Sequence, residues 1–322
     1  MTLCLNEADI RALLPMADLI RAMESALMAF STGQVVQPVR PVVEMGDAAL
    51  FAAMPGFVRN PPVLGAKLVT VIAANQARGL ATHQAAIVLL DPDTGMLLAV
   101  MDGRLITEMR TAAVSAVSMR HLGRADASVL AVVGSGVQAR SHLAALTLER
   151  PFREVRAWSP TPAHLRTFAA EAAVPLLACE TAAEAVRGAE VIALTTASST
   201  PVVDHSWVAP GAHIISVGAC RPYQREIDPE LLARARVVVD SREAAFQESG
   251  DIILGEREGR FAREQVAELG EVAGGRAPGR ASPSEITVFK SLGLAVEDLV
   301  AARLVYQRAR ECGKGVEIDL CG

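Results

Sequence analysis

Aromatic residues are scarce, at 4% of the 322 residues. Alanine, valine and leucine fill the gap, as expected where buried parallel strands alternate with helices. The five cysteines (Cys4, Cys179, Cys220, Cys312, Cys321) are odd in number, scattered, and never spaced Cys-x-x-Cys. That is poor material for a disulfide framework or a zinc site, and it fits a reducing compartment. The six histidines show no His-Glu-x-x-His spacing, so no catalytic metal is expected. No Gly-x-Ser-x-Gly nucleophile elbow occurs. The formal charge is −5, with no Lys/Arg run long enough to make a basic face. Nucleic acid and anionic membranes are therefore not expected partners. No apolar run approaches the roughly 20 residues that span a bilayer. The amino terminus carries Glu7 and Asp9 instead of the basic-then-apolar order of a signal peptide. A cytoplasmic protein is the expectation.

What is present is ample apolar material. The composition is 51% hydrophobic and 21% charged, and the length suits two domains. Residues 16–30 set Leu19, Ile20, Met23, Leu27 and Phe30 on one helical face. Residues 35–100 are short strand-like runs punctuated by Pro and Gly, with a hairpin turn at Asp93-Thr94-Gly95. Residues 104–121 return to a helical pattern. From 128 the texture alternates strictly. Strands are predicted at 128–133, 154–158, 174–178, 191–195, 213–217 and 235–240, with helices at 137–148, 162–172 and 181–189. This describes an α/β, Rossmann-type doubly wound parallel sheet over 123–291. A β-rich α+β domain for substrate and dimerisation would occupy 1–122, completed by the C-terminal helix within 292–322.

The strand at 129–133 runs directly into Gly134-Ser135-Gly136-Val137-Gln138-Ala139 and then a helix. The first glycine permits a tight turn, and the second lets backbone approach a pyrophosphate. The helix N-terminus offers N–H groups to the anion. Ordinary strand–helix turns match the same pattern, but its place at the head of an alternating domain favours a dinucleotide. After the second strand, Trp158-Ser159-Pro160-Thr161 has no acid to bind a ribose 2′-hydroxyl. Ser159 and Thr161 tolerate a 2′-phosphate, and Arg166 lies one turn into the following helix. The cofactor expected is NADP(H) or NAD(H), with a lean to the former; a plain turn and helix cap is the bland alternative.

Arg40, Lys67 and Arg110 each sit among uncharged neighbours. Such cations usually snorkel or meet a structural carboxylate. Three in one domain can instead converge on a small carboxylate, with a desolvated Lys as proton donor or acceptor. Cys220 follows the fifth strand, at the carboxyl edge where α/β sheets place ligands; a structural thiol is its default role.

Segments along the chain are more specific than the glycine turn. Val36–Arg40, Lys67–Thr70, Thr82-His83-Gln84, Asp91–Gly103, Arg110–Ala116, Gly134–Ala139, Gly211–Ile214, Val217-Gly218-Ala219, Ala267–Glu271 and Thr287–Gly293 together resemble the ornithine cyclodeaminase/mu-crystallin family. That resemblance implies a homodimer built through the first domain. It implies that Arg40, Lys67 and Arg110 hold a substrate carboxylate, with Lys67 the proton-transfer group. It implies cofactor contacts from Thr82, Arg110, Thr111 and Ser291, beside Gly134, Gly136, Val137, Gln138, Ser159, Thr161, Val217 and Gly218. Members include ornithine cyclodeaminases, alanine dehydrogenases, ketimine reductases and mu-crystallins. The cyclodeaminases carry an aspartate, their base, just after Val-Gly-x. Here Cys220 stands at that catalytic position. A thiol with pKa about 8.5 is mostly neutral at pH 7 and is no carboxylate. The phrase resembles the ketimine-reductase branch instead. The resemblance thus implies an NAD(P)H-dependent reductase of small cyclic imino acids, yielding proline or pipecolate. The alternatives are an ornithine cyclodeaminase with bound NAD, or a non-enzymatic crystallin-like binder of nucleotide.

Overall fold

The computed structural model describes residues 1–46 and 49–320, so Cys321 lies outside the described residues. The chain forms two compact units, Met1–Arg110 with Leu294–Gly322, and Thr111–Gly293. The division falls inside one helix, between Arg110 and Thr111.

The first unit begins with β1 (Thr2–Leu5), α1 (Glu7–Leu13) and α2 (Met16–Ser31), followed by β2 (Val35–Val36) and β3 (Val42–Glu44). The long strands β4 (Ala49–Val58) and β5 (Val63–Ile72) then pair antiparallel along their whole length. β6 (His83–Leu90) and β7 (Leu97–Asp102) complete the meander, and α3 (Gly103–Leu122) leaves it. The order is β1-β7-β6-β5-β4-β2, with β3 also on β4. The predicted hairpin joins β6 to β7, where the Asp91 carboxylate accepts from the Asp93 and Thr94 N–H groups at 3.1 and 2.8 Å. Alternation with period two sends Leu50, Ala52 and Met54 of β4 and Val69 of β5 to one buried face. β1 and α1 lay outside the predicted pattern because four and seven residues are too few for periodicity to register.

The second unit carries a parallel sheet. Its strands are β8 (Val129–Val133), β9 (Glu154–Trp158), β10 (Leu177–Ala178), β11 (Val191–Leu194), β12 (His213–Ser216), β13 (Arg236–Val239), β14 (Ala267–Glu268) and β15 (Thr287–Lys290). The order is β10-β9-β8-β11-β12-β15-β13-β14, the doubly wound arrangement expected. The helices α4 (Val137–Glu149), α5 (Pro162–Glu171) and α6 (Ala182–Val186) are the predicted crossovers; α7 (Pro229–Arg234), α8 (Arg242–Glu248), α9 (Gly250–Arg257) and α10 (Leu269–Ala273) follow. One finding differs from the sequence pattern. β15 inserts between β12 and β13, pairing parallel with both. Its four residues, Thr-Val-Phe-Lys, end on a lysine, which reads as a strand leaving the core. Lys290 is nevertheless fully buried. The strand predicted at 174–178 shortens to Leu177–Ala178 at the sheet edge, where one neighbour is available.

The C-terminal helix α11 (Ala295–Cys312) packs on β4, β5 and β6 and against α2 of the first unit. β16 (Val316–Ile318) then adds antiparallel to β1. Among the described residues, no helix is long and apolar enough to cross a membrane.

Candidate functional site

In the first unit, buried positions of β5 run Val63, Gly65, Lys67, Val69, so strand alternation puts Lys67 on one face with these residues, and α11 packs on this strand. It is 2% exposed, which excludes snorkelling. Its ammonium meets Asp298 Oδ2 at 2.6 Å and donates to Thr107 Oγ1 at 3.5 Å. Arg110, one turn after Thr107 on α3, donates from Nε to Asp298 Oδ1 at 3.0 Å and from Nη1 to Glu297 Oε2 at 2.6 Å. Glu297 and Asp298 are both fully buried in the first turn of α11. A structural role for either cation would call for such a carboxylate, and the partner is there. What that role leaves unexplained is the crowding of cations. Burial lowers Lys67 from an ordinary lysine value to about 8, Asp298 opposes this, and the charges of Arg110 and Arg40 lower it further. Arg40 and Arg110 thus both set a like charge against Lys67. Like charges do not gather in a core for stability alone, and an anionic ligand relieves them.

His83, at the start of β6, belongs to the same cluster. Burial, then the charges of Lys67 and Arg110, hold it near 4, so it is neutral at pH 7. Asp298 is pushed up by burial, but Arg110 and Lys67 outweigh that and keep it below the ordinary carboxylate range. Thr107, His83, Glu297 and Asp298 escaped sequence reasoning. The available signal was two adjacent acids inside Leu294–Val300, an otherwise apolar helix start. Thr82 is half-buried beside His83, and its carbonyl accepts from Ile72 N–H at 2.8 Å.

In the second unit the entirely buried β8 ends in the glycine turn. Gly134 has φ +124°, and a Cβ there would stand 2.4 Å from Thr195 Oγ1. Gly136, the N-cap of α4, has nothing within 4 Å of a Cβ position and no side chain capping the helix. Val137 is exposed, and the buried Gln138 Oε1 has no hydrogen-bond partner. A helix N-terminus with no side-chain cap and open space at Gly136 offers its N–H groups to the pyrophosphate of a dinucleotide. At the end of β9, Ser135 Oγ donates to Ser159 Oγ at 2.8 Å. Ser159 is 8% exposed, while Thr161 is exposed at the start of α5. The cation beside these serines is Arg140, whose Nη1 donates to Ser135 O at 2.5 Å while Glu171 holds its other edge. Arg166 is exposed on α5. Helical spacing from the turn was the signal for Arg140.

Past β12, Val217 is buried and Gly218 lies so close to Thr196 that a Cβ would stand 1.7 Å from its carbonyl oxygen. The fully buried Glu226 carboxylate accepts from Thr196 N and Oγ1, Ser216 Oγ, Gly218 N and Ala219 N. Lys290 pairs with Asp251 at 3.0 Å and donates to Ser216 Oγ at 3.0 Å, anchoring the same loop. Cys220 is half-buried; its thiol donates to Val217 O at 3.1 Å. Ser291 is 1% exposed with its hydroxyl on Asp240, which also caps the N–H groups of Leu292 and Gly293. Thr111 is buried in α3. Asp204, His205 and Asp228 also come together, but both acids already cap turns, at Ser206 N and Glu230 N.

The ornithine cyclodeaminase/mu-crystallin family profile matches residues 1–313. The ketimine reductase mu-crystallin of Rattus norvegicus is 45% identical over 292 residues, covering 89% of this chain and 91% of that one. The structure of Thermococcus litoralis Δ1-pyrroline-2-carboxylate reductase in complex with NADH and L-proline superposes with a TM-score of 0.96 at 35% identity, over 98% of this chain and 100% of that one. An archaeal alanine dehydrogenase dimer with bound NAD gives 0.94 at 33% identity, over 99% of each chain. The chain belongs to the ornithine cyclodeaminase/mu-crystallin family.

Proposed function

We propose that this protein is an NAD(P)H-dependent reductase of small cyclic imino acids such as pyrroline-2-carboxylate and piperideine-2-carboxylate. The observation that carries this reading is Lys67, a buried ammonium within a cluster of cations. A planar carboxylate suits guanidinium donors, which Arg40 and Arg110 would supply, Arg110 beside the bonds it makes to Glu297 and Asp298. Lys67, with a value near 8, is protonated at neutral pH yet acidic enough to give its proton up. Reduced nicotinamide supplies the hydride. Lys67, directly or through one water, delivers the proton to the ring nitrogen, so that C=N becomes CH–NH. Gly134, Gly136, Val137 and Gln138 would seat the pyrophosphate, and Ser159 and Thr161 the adenosine ribose. Val217, Gly218, Thr82, Arg110, Thr111 and Ser291 remain the further contacts that family membership suggests. For Ser291 that contact is through backbone or packing, since its hydroxyl serves Asp240. Cys220, with its thiol turned to Val217 O, has no carboxylate character to serve as a cyclodeaminase base. A homodimer in the cytoplasm completes the reading, its dimeric state supported by the dimeric alanine dehydrogenase relative.

The test is cofactor consumption with a panel of cyclic imines. The expected result is stoichiometric NAD(P)H oxidation, and little ammonia from ornithine. Redox-neutral conversion of ornithine to proline would overturn the assignment in favour of a cyclodeaminase, and binding of nucleotide with no turnover in favour of a crystallin-like binder.

Cofactor choice gives a second expected outcome. With no acid at the end of β9, NADPH should support turnover at least as well as NADH. Ser159→Asp should shift preference toward NADH by at least about tenfold, through repulsion of the 2′-phosphate at a largely buried position. Steady-state kcat/KM for both cofactors measures it; strong selectivity of the unmodified enzyme for NADH contradicts it.

A further inference from the structure

We propose that Asp298 is a positioning residue that keeps Lys67 charged and aimed, making the proton donor available at neutral pH. The inference rests on the imine-reductase reading for its consequence, but its physical content stands on geometry. The groups facing Lys67 come from every element around it. Asp298 and Glu297 come from α11, Thr107 and Arg110 from α3, Arg40 from the segment between β2 and β3, and His83 from β6.

Among these, Asp298 carries the negative charge in contact with the ammonium, at 2.6 Å. Thr107 is 3.5 Å away and its own hydroxyl donates to Gly103 O, so it offers one weak acceptor. Arg40 and Arg110 oppose the ammonium charge, and neutral His83 does nothing to balance them. A buried lysine so placed loses its proton unless a carboxylate holds it. Asp298 also grips Arg110 Nε through its second oxygen, so one carboxylate sets the spacing between the proton donor and a carboxylate-binding guanidinium. Glu297 serves Arg110 from the other side, through Nη1, which stops Arg110 from drawing Asp298 away from Lys67. Glu297 and Asp298 thus have separate tasks.

Removing the charge with near-identical volume separates this from simple packing. A proton donor works below its own pKa, so activity falls as pH rises through the Lys67 value. Asp298→Asn should move that alkaline limb of kcat to lower pH by at least about one unit, since an opposite charge in contact is worth 1–3 units. Glu297→Gln, which touches Arg110 instead, should raise the KM for the imine while leaving the limb in place. The chain has three lysines, Lys67, Lys290 and Lys314. Protein labelled at lysine Cε therefore gives a readable titration, with the Lys67 signal identified by its loss in Lys67→Met. The Lys67 signal should be that of an ammonium at pH 7 in the wild type, and its titration midpoint should move down by at least about one unit in Asp298→Asn. An unmoved limb together with an unmoved signal in Asp298→Asn would overturn the assignment. So would a neutral Lys67 in the wild type, a measurement that holds even if the variant does not fold. Failure of the wild type to reduce any imine sinks the proposed function alone, because the titration still reports on the ion pair.

Discussion

Lys67→Met is expected to lower imine turnover at least ~100-fold while leaving nicotinamide binding intact, because a proton-transfer group typically contributes 10²–10⁴ in rate. Cofactor affinity should survive, since the glycine turn belongs to the other compact unit. The change is not silent for stability. Lys67 is paired with Asp298 in the interior, and its loss leaves that carboxylate to Arg110. Removing one partner of a buried pair costs about 3–5 kcal/mol, within the 5–15 kcal/mol by which domains are stable. The variant should therefore fold with a lowered melting temperature. Lys67→Arg separates the two effects. A guanidinium restores a charge beside Asp298 and so recovers stability, but it stays protonated and delivers no proton. Parallel measurements of kcat, cofactor dissociation constant and thermal midpoint decide the matter. Near-normal imine reduction by Lys67→Met would return this residue to a purely structural role, as the anchor of α11 on β5.

The second large effect separates two glycines two residues apart. Gly134→Ala should lower the thermal midpoint of the cofactor-free protein by roughly 2–8 °C. A positive φ costs about 1–2 kcal/mol for a residue with a Cβ, and each kcal/mol shifts a domain of this size by about 2–4 °C. The Cβ would also clash with Thr195 Oγ1 at 2.4 Å, forcing a shift where β8 meets the end of β11. Gly136→Ala should leave the cofactor-free midpoint nearly unchanged, because its φ of −81° is ordinary and nothing lies within 4 Å of the new methyl. That methyl instead fills the space where a pyrophosphate must approach the α4 N-terminus. Cofactor affinity should fall at least about tenfold, and the stabilisation by added NAD(P)H should shrink accordingly. A Gly136→Ala protein that binds cofactor like the wild type would show that this turn is not the phosphate seat.

Both expectations depend on features of different legibility. The glycine turn was readable because its physics is local: strand, two glycines and helix are contiguous, and each residue's role follows from its neighbours in the chain. The alternation that sets the face of Lys67 on β5 was equally local. So were the crossover helices and the β6–β7 hairpin, where Asp91 folds back on the next few N–H groups. By contrast, β15 reaches its place between β12 and β13 only through parallel pairing with strands far away in the sequence. Its terminal Lys290 reads as polar and exposed until Asp251, 39 positions earlier, is known to face it. The same holds for Glu226, whose five donors come from two segments, Thr196 and Ser216–Ala219. Arg140, which reaches back to Ser135 from the helix of the turn itself, became visible only with the fold, while Arg166 stands exposed on α5.

By itself, then, the amino-acid sequence determined what short-range physics can specify: the α/β class, the parallel nucleotide sheet, the turn at its head and the identity of the three unusual cations. It could not say whether Lys67 and Arg110 were neutralised, because their partners Glu297 and Asp298 lie nearly two hundred residues beyond Arg110. Charge balance in a core depends on which groups are brought within a few ångströms, and Coulomb energy in a desolvated interior is too steep in distance for spacing along the chain to predict. Only the packing of α11 on β5 decided that Lys67 is an ion-paired, acid-shifted ammonium and not a snorkelling surface lysine.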